Sequence, residues 1–295
     1  LSSLEYPISI HSISPEDQYH ELLPWHVHDD LELVLVESGE LSVSISGNTI
    51  CLFENEMLFV NLNVLHSFDF KQSKNAKIVS IVFKPSFLFG FGRSVMSTTY
   101  LTPLIQNANF QYFIFKNDLS LNGVISLSQY TRQIVEHNQL QHFGFELLTK
   151  SYLLDVWLYL LKQLPPTFSI KNQHQKNPVS LDESRAKEII RFIETHYADP
   201  ITLDDIADAI HVSRSECCRC MKRCMEISPF EYLIRFRIFA AANLLIERQK
   251  PISMSALATH VGFNSSSYFN KLFKKYLGCT PSQYREIIKH DLGSS

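Results

Sequence analysis

Three histidines and a glutamate stand out near the start of the chain: His26-Val-His28, Glu32 and, further on, His66. On an extended chain His26, His28 and Glu32 have equal parity and project from one face. Three imidazoles and a carboxylate can hold a divalent transition metal, because neutral imidazole suits such ions. The same groups can hydrogen-bond the hydroxyls of a sugar or a similar small polar molecule, with Trp25 and Phe68 as flat apolar walls. Histidines near a strand end also serve structurally, as caps or solvated side chains. A second chemistry lies near the other terminus, where Ser266, Ser267, Asn270, Lys271 and Lys274 share the outer face of a predicted helix that buries Phe269, Leu272 and Phe273. Amides and hydroxyls meet base edges and lysines meet phosphates, so such a face suits the major groove of DNA.

The elements that must position these groups differ in period. Residues 1 to about 100 read as strands: ELVLVESGELSVSISGNTICLFENEMLFVNLNVLHSFDF alternates apolar and polar residues, with turn signals at Ser38-Gly39 and Gly47-Asn48, and another apolar strand runs from Lys77 to Phe83. Several short antiparallel strands imply a small barrel or sandwich. From about Leu121 to Leu164 the period becomes helical, with a wide stripe of Phe145, Leu148, Tyr152, Val156, Tyr159 and Leu160. Pro165-Pro166 ends it, and FSIKNQHQKNPVS reads as a linker.

After Ser180 helices resume. LDESRAKEIIRFIETHY is amphipathic, Thr202 and Asp205 suggest an N-cap, and Leu203, Ile206, Ala207 and Ile210 form a buried stripe before a turn at Val212-Ser213. SRSECCRCMKRCMEIS follows, then the long helix PFEYLIRFRIFAAANLLIE, whose Ala240, Ala241 and Ala242 permit close packing. In the last pair of helices, Ala256, Leu257 and Val261 are apolar at helical spacing and Gly262 breaks the pattern. Two short helices around a tight turn make a helix-turn-helix.

GFNSSSYFNKLFKKYLGCTPSQYR closely resembles the C-terminal signature of the AraC/XylS family of transcription regulators, at Gly262, Phe263, Tyr268, Phe269, Phe273, Lys274, Lys275, Gly278, Pro281, Tyr284 and Arg285. The preceding helices follow the family's first motif, with cysteines in place of bulkier core residues and Glu226 where a helix-ending glycine is expected. By matching positions, the resemblance implies DNA-facing Ser215, Cys218 and Arg219 in the first motif and Ser266, Ser267, Asn270 and Lys271 in the second, with Arg214, Lys222 and Lys274 on phosphates. Arg219 suits guanine and Asn270 adenine. The spacing H-x-H, three residues, E, six residues, G resembles the first cupin motif, ending at Gly39, and NLNVLHSF resembles the second. The second has Leu62 where proline is common and lacks a glycine shortly before His66, a departure that disfavours an enzyme. Of the readings open for His26, His28, Glu32 and His66, a metal-free effector pocket is preferred, no cofactor is expected, and a metal site is the alternative.

The implied fold is α+β: a cupin-like β-barrel with a helical dimerisation segment over 1–164, a linker over 165–180, and an all-α double helix-turn-helix domain over 181–295. The implied function is a regulator, an activator rather than an enzyme, working as a homodimer on double-stranded DNA with RNA polymerase and a sugar-like effector as partners. A metalloenzyme fused to a DNA-binding tail and a regulator driven by a protein partner are the rivals. The charge balance of -3 disfavours indiscriminate polyanion binding. It is unevenly shared: from Ser180 onward 16 Lys and Arg face 14 Asp and Glu, whereas the first 179 residues hold 11 against 16. The start of the chain is neither basic nor strongly apolar and no long apolar run follows, which points to a cytoplasmic protein without membrane contact. Cys217, Cys218, Cys220 and Cys224 crowd one helix without zinc-knuckle spacing, which favours packing over metal or redox roles.

Overall fold

A computed structural model describes residues 6–14, 22–45, 47–70, 75–90, 94–107, 109–116, 126–164, 181–247 and 252–292. The proposed linker, 165–180, lies outside them. Residues 1–17 and 27–179 make one compact unit, and residues 18–26 and 180–295 the other.

The strands are β1 (Ile8–Ile13), β2 (Leu22–His26), β3 (Leu31–Ser38), β4 (Glu40–Ile45), β5 (Asn48–Phe53), β6 (Met57–Val60), β7 (His66–Asp69), β8 (Lys77–Phe83) and β9 (Tyr112–Phe115). One sheet runs β1-β8-β3-β6-β9 and is antiparallel throughout; the other runs β2-β7-β4-β5. The signalled reversals hold, with Gly39 and Gly47 both at positive φ. Helices follow: α1 (Pro85–Phe89), a π-helical turn (Ser97–Leu101), α2 (Thr102–Ile105), α3 (Leu127–Leu140) and α4 (Phe145–Gln163).

Strand β3 is buried on both faces over its first six residues, and the two faces do different work. Leu31, Leu33 and Leu35 join Phe59 and Ile81 in a core shared with Ile134 of α3 and Val156, Trp157 and Leu160 of α4. Each such buried side chain contributes roughly 1.5–3 kcal/mol. Glu32, at the opposite parity, meets β7 of the other sheet through His66. Helices therefore cover one side of the five-stranded sheet and the second sheet covers the other.

The start of the helical reading, 121–125, lies outside the described residues, and α3 begins at Leu127 behind a Ser126–Gln129 capping box. On α4 the stripe is rotated: Val156, Tyr159 and Leu160 are buried as expected, but Leu148 is exposed and Leu153 and Trp157 occupy the core. A helix apolar on most sides leaves its facing to be decided by its neighbours.

The second unit contains α5 (Leu181–His196), α6 (Leu203–Ala209), α7 (Arg214–Met225), α8 (Pro229–Glu247), α9 (Met254–His260), α10 (Ser266–Leu277) and α11 (Pro281–Leu292). Thr202 and Asp205 form the expected capping box of α6. Ala241 and Ala242 of α8 are buried against Leu257, Val261, Phe269 and Phe273, so small residues do allow close packing there.

The pairs α6–α7 and α9–α10 repeat one local geometry. The N–H of Val212 donates to Ala207 O as that of Phe263 does to Ala258 O, and Ser213 and Ser265 cap the second helix of each pair. The left-handed turn residue is His211 in the first pair and Gly262 in the second; the helix ends at left-handed Glu226 in the first and Gly278 in the second. A side chain in that region costs roughly 1–2 kcal/mol, so the first motif carries strain that the second avoids. Gly262 is also sterically required, since a Cβ there would lie 2.7 Å from Tyr197 O and 2.8 Å from Arg237 Cζ. That Arg237 is buried and donates to Tyr197 O and Asp199 O at 2.6 and 2.7 Å, tying α8 to the end of α5.

Two substitutions should move stability in opposite directions, read by the denaturant midpoint of the C-terminal unit's transition. Glu226→Gly is expected to raise stability by about 1 kcal/mol. Gly262→Ala is expected to lower it by about 1–3 kcal/mol, through collision with Tyr197 and Arg237.

Candidate functional site

Glu32 is only 2% exposed and stands between the two sheets. Its Oε1 accepts from Ser80 Oγ at 2.5 Å, and Ser80 is on β8, the neighbour of β3. Its Oε2 meets His66 Nε2 at 2.8 Å and His28 Nε2 at 3.3 Å. Each of these rings is fixed from behind: His28 Nδ1 lies 2.8 Å from Asp30 O, and His66 Nδ1 lies 2.9 Å from Val64 O. His26, at the end of β2, adds its ligand atom to a group of four that all lie within 4.8 Å of one another. His26, His28, Glu32 and His66 do come together, but not along one extended strand: β2 ends at His26, the chain bends at 29–30, and β3 starts at Leu31 in the other sheet.

The missing glycine before His66 also has an explanation. Asn63 takes φ 58, and its N–H donates to His28 O at 2.9 Å. Asparagine tolerates that left-handed conformation better than most residues, so the turn survives without glycine. It ties the approach to His66 directly to the strand end carrying His28.

Burial works to raise the Glu32 carboxyl, but contacts with His28 and His66 outweigh it and hold the group well below the usual range. Burial likewise works to lower His28, and the hydrogen bond and charge of Glu32 prevail and raise it. Of the aromatic walls, Trp25 is half-buried, whereas Phe68 is fully enclosed and stands edge-on to His66 at 5.4 Å. Trp25, His26 and His28 are partly exposed, whereas Glu32 and His66 are buried.

A cavity of about 350 Å³, unforeseen in the sequence, lies among α1, the π-helical turn and α2. Ser86, Ser97, Thr98, Thr102 and Gln106 give it a hydroxyl-rich lining. No periodic pattern marks these short elements, though π-turns often accompany functional sites.

The two second helices of the paired motifs place the other set. On α7, Arg214, Ser215, Arg219 and Lys222 are exposed and Cys218 is half-buried, while Cys217, Cys220, Met221 and Met225 form the buried face. On α10, Ser266, Ser267, Asn270, Lys271 and Lys274 are all exposed. Burial pushes the Cys217 thiol up to about 12 and the Cys224 thiol up to about 11, which suits packing rather than reactivity.

The two faces differ in how their cations are held. Arg214 pairs with Asp204, and Arg219 with Glu216 at 2.9 Å. Glu216 also takes Arg223 at 3.0 Å and Arg185 at 3.1 Å, and Arg223 chelates Asp182. Desolvation works to raise the Glu216 carboxyl, but hydrogen bonds from Arg223 and Arg219 hold it below its ordinary value. Lys271 and Lys274 enter no ion pair among the described residues. The part of Glu216 in this network was not read from the sequence; its three-residue spacing to Arg219 was the available signal.

Comparison with known proteins places this geometry. Residues 9–156 match the model of the AraC-like ligand binding domain, and residues 206–287 match a helix-turn-helix domain. The chain belongs to the AraC family of transcription regulators. The HTH-type transcriptional regulator YdeC of Bacillus subtilis is 25% identical over 97% of this chain and 94% of its own. The HTH-type transcriptional activator RhaS of Escherichia coli O157:H7 is 26% identical over 89% of this chain and 87% of its own. The structure of ToxT from Vibrio cholerae O395, bound to (E)-4-(8-methylnaphthalen-1-yl)but-3-enoic acid, has the same fold, with a TM-score of 0.51 at 14% identity over 95% of this chain and 98% of that one. This AraC-family chain is accordingly a transcriptional regulator with a ligand-binding and a DNA-binding domain, and not an enzyme. No helix among its described residues is long and apolar enough to cross a membrane.

The pKa directions at Glu32 and His28 fix a pH profile. Glu32 is lowered, so its stabilisation is present above its unfolded value of about 4.5 and is lost as pH falls. His28 is raised, so its stabilisation is complete below its unfolded value of about 6.5 and is lost as pH rises through the folded one. Urea midpoints of the N-terminal unit's transition are expected to peak between these limits in protein stripped with a chelator.

Proposed function

We propose that the chain is an effector-controlled activator that works in the cytoplasm as a homodimer, binding double-stranded DNA through α7 and α10 and acting on RNA polymerase. The observation that carries the DNA-facing assignment is the repeated geometry of α6–α7 and α9–α10, with all the assigned side chains on exposed faces save the half-buried Cys218. Arg219 and Asn270 read bases; Arg214, Lys222 and Lys274 meet phosphates; Ser215, Cys218, Ser266, Ser267 and Lys271 complete the surface.

The effector is a small polar molecule, a sugar in the first instance, approached through Trp25, His26 and His28 and anchored towards Glu32, His66 and Phe68. The family's ligand-binding description and the polar character of this cluster support the reading. A second seat is favoured by the hydroxyl-rich lining of the 350 Å³ cavity, which falls within the size range of small-ligand pockets. Dimerisation is supported by apolar groups that α4 leaves outside. Leu147 is 74% exposed and Leu158 47% exposed; eleven residues apart, they share a helix face.

Electrophoretic shift of genomic fragments by the full chain at low salt tests the central reading; failure to retain any fragment would refute it. Arg219→Ala is expected to cost about 1–3 kcal/mol in specific binding and to relax preference at one base position. Lys274→Ala should weaken binding to all sequences alike and reduce the salt slope by about one. A sugar panel followed by melting temperature tests the effector, with His28→Gln and Thr102→Val distinguishing the two seats. Sedimentation of Leu147→Lys should show monomer where the parent chain shows dimer.

A further inference from the structure

We propose that the cavity among α1, the π-helical turn and α2 is a regulatory seat for a neutral polyhydroxylated molecule, with Trp157 passing its occupancy to α4. This deepens the second-seat reading above and rests on it. The ligand class follows from where the hydroxyl hydrogens are spent. Thr98 Oγ1 donates to Ser94 O at 2.8 Å, Thr102 Oγ1 to Ser97 O at 2.9 Å, and Ser97 Oγ to Ser94 O at 3.1 Å. A hydroxyl has one hydrogen, so these lining oxygens have only lone pairs left to offer. The ligand must therefore bring the hydrogens. Gln106, whose amide both donates and accepts, answers a group of either kind. No charged side chain lines the cavity among the described residues, so a carboxylate or phosphate would lose water here and meet lone pairs without a counter-charge. A polyol supplies donors without charge.

The cavity has two walls, and Trp157 of α4 touches both. From α1, which lines the cavity with Pro85 and Ser86, Phe89 stands edge-on to the indole at 5.5 Å. From the π-helical turn, Tyr100 O accepts from Trp157 Nε1 at 3.1 Å. Leu101, the next residue, lines the cavity and also joins the core around Trp157. The indole is only 4% exposed, in a close-packed core that passes small displacements on. A ligand that draws the walls together therefore bears on a single side chain of α4. Leu158, its neighbour in the chain, is on the outer face of that helix, the face read above as the dimer surface.

The chain has two tryptophans, Trp25 beside the histidine cluster and Trp157 here, so each seat carries its own reporter. Full-length Trp25→Phe protein is titrated with sorbitol, glucose and glucuronate while Trp157 emission and melting temperature are followed. Sorbitol or glucose should shift the emission and raise the melting temperature; glucuronate, the glucose framework with a carboxylate added, should do neither. Thr102→Val is expected to weaken the response about three- to tenfold, the effect of one lost hydrogen-bond partner. Thr98→Val, at an exposed position, should do the same with an unchanged circular dichroism spectrum. Amide exchange over residues 145–163 should slow with the active polyol in the parent chain and stay as it was in Trp157→Phe, which keeps a ring but deletes the N–H. The proposal is overturned if no polyol shifts Trp157 emission, if both threonine variants titrate like the parent, if glucuronate matches glucose, or if exchange in α4 is unmoved. A melting-temperature rise that needs Thr102 while Trp157 and α4 stay silent would sink the relay alone and leave the second seat standing. A rise lost in His28→Gln and kept in both threonine variants would put the sugar at the histidine cluster and sink the second seat with it.

Discussion

A carboxylate enclosed between two β-sheets must have partners, because moving an ion out of water costs several kcal/mol even after relaxation. Glu32 meets that condition with groups drawn from separate parts of the chain: Ser80 from β8, His66 from β7 and His28 from the segment leading into β3. The register of the five-stranded sheet follows from it. Slipping β3 by one residue would turn Glu32 into the leucine and aromatic layer beneath α3 and α4, and turn a leucine towards His66. One polar contact thus sets which face of the central strand looks inward, and with it the placement of everything packed on either side.

The C-terminal unit depends on a different device. Arg237 on α8 is buried, caps the carbonyls at the end of α5, and lies over the Phe263 ring at 5.8 Å. Only a residue without Cβ can pass beneath it, and Gly262 does so at φ 85. The tight turn of the second motif and the close of α5 are therefore fixed by one guanidinium. Through α8 the same arginine relates the two helix pairs whose outer faces are assigned to DNA.

Much of this could be read in the residues. The Thr202 cap, the buried face of α10 and the small residues of α8 came from spacing alone, because each obeys a pattern that its environment preserves; His26, His28 and Glu32 converge although the strand expected to carry them breaks at 27–30. The assignment of individual DNA-facing residues came from resemblance, since an exposed polar side chain looks the same in sequence whatever it touches. What escaped had physical causes. The facing of α4 is set by what packs on it, and a helix apolar on most sides carries no record of that choice. The short segments α1, α2 and β9 are below the length at which periodicity is readable. Asn63 and His211 adopt left-handed backbone conformations, which sequence marks clearly only when glycine is present. The grip of Glu216 on Arg219 and Arg223 needed coordinates, because Asp182 and Arg185 reach it from another helix.

The cysteines of α7 bear on that last network. A thiol is far smaller than the leucine or phenylalanine that such an inward position commonly holds. Cys217 and Cys220 are both fully enclosed on the inner face of α7. Beside them Asp182 and Arg185 of α5 reach across to Arg223 and Glu216. Any duplex approaching here encounters guanidinium groups already engaged, and must offer each a better acceptor than the carboxylate it would leave. On the proposed DNA-facing surface this would discourage loose attraction to arbitrary sequence, while Lys271 and Lys274 of α10, in no ion pair among the described residues, would stay available to a passing backbone.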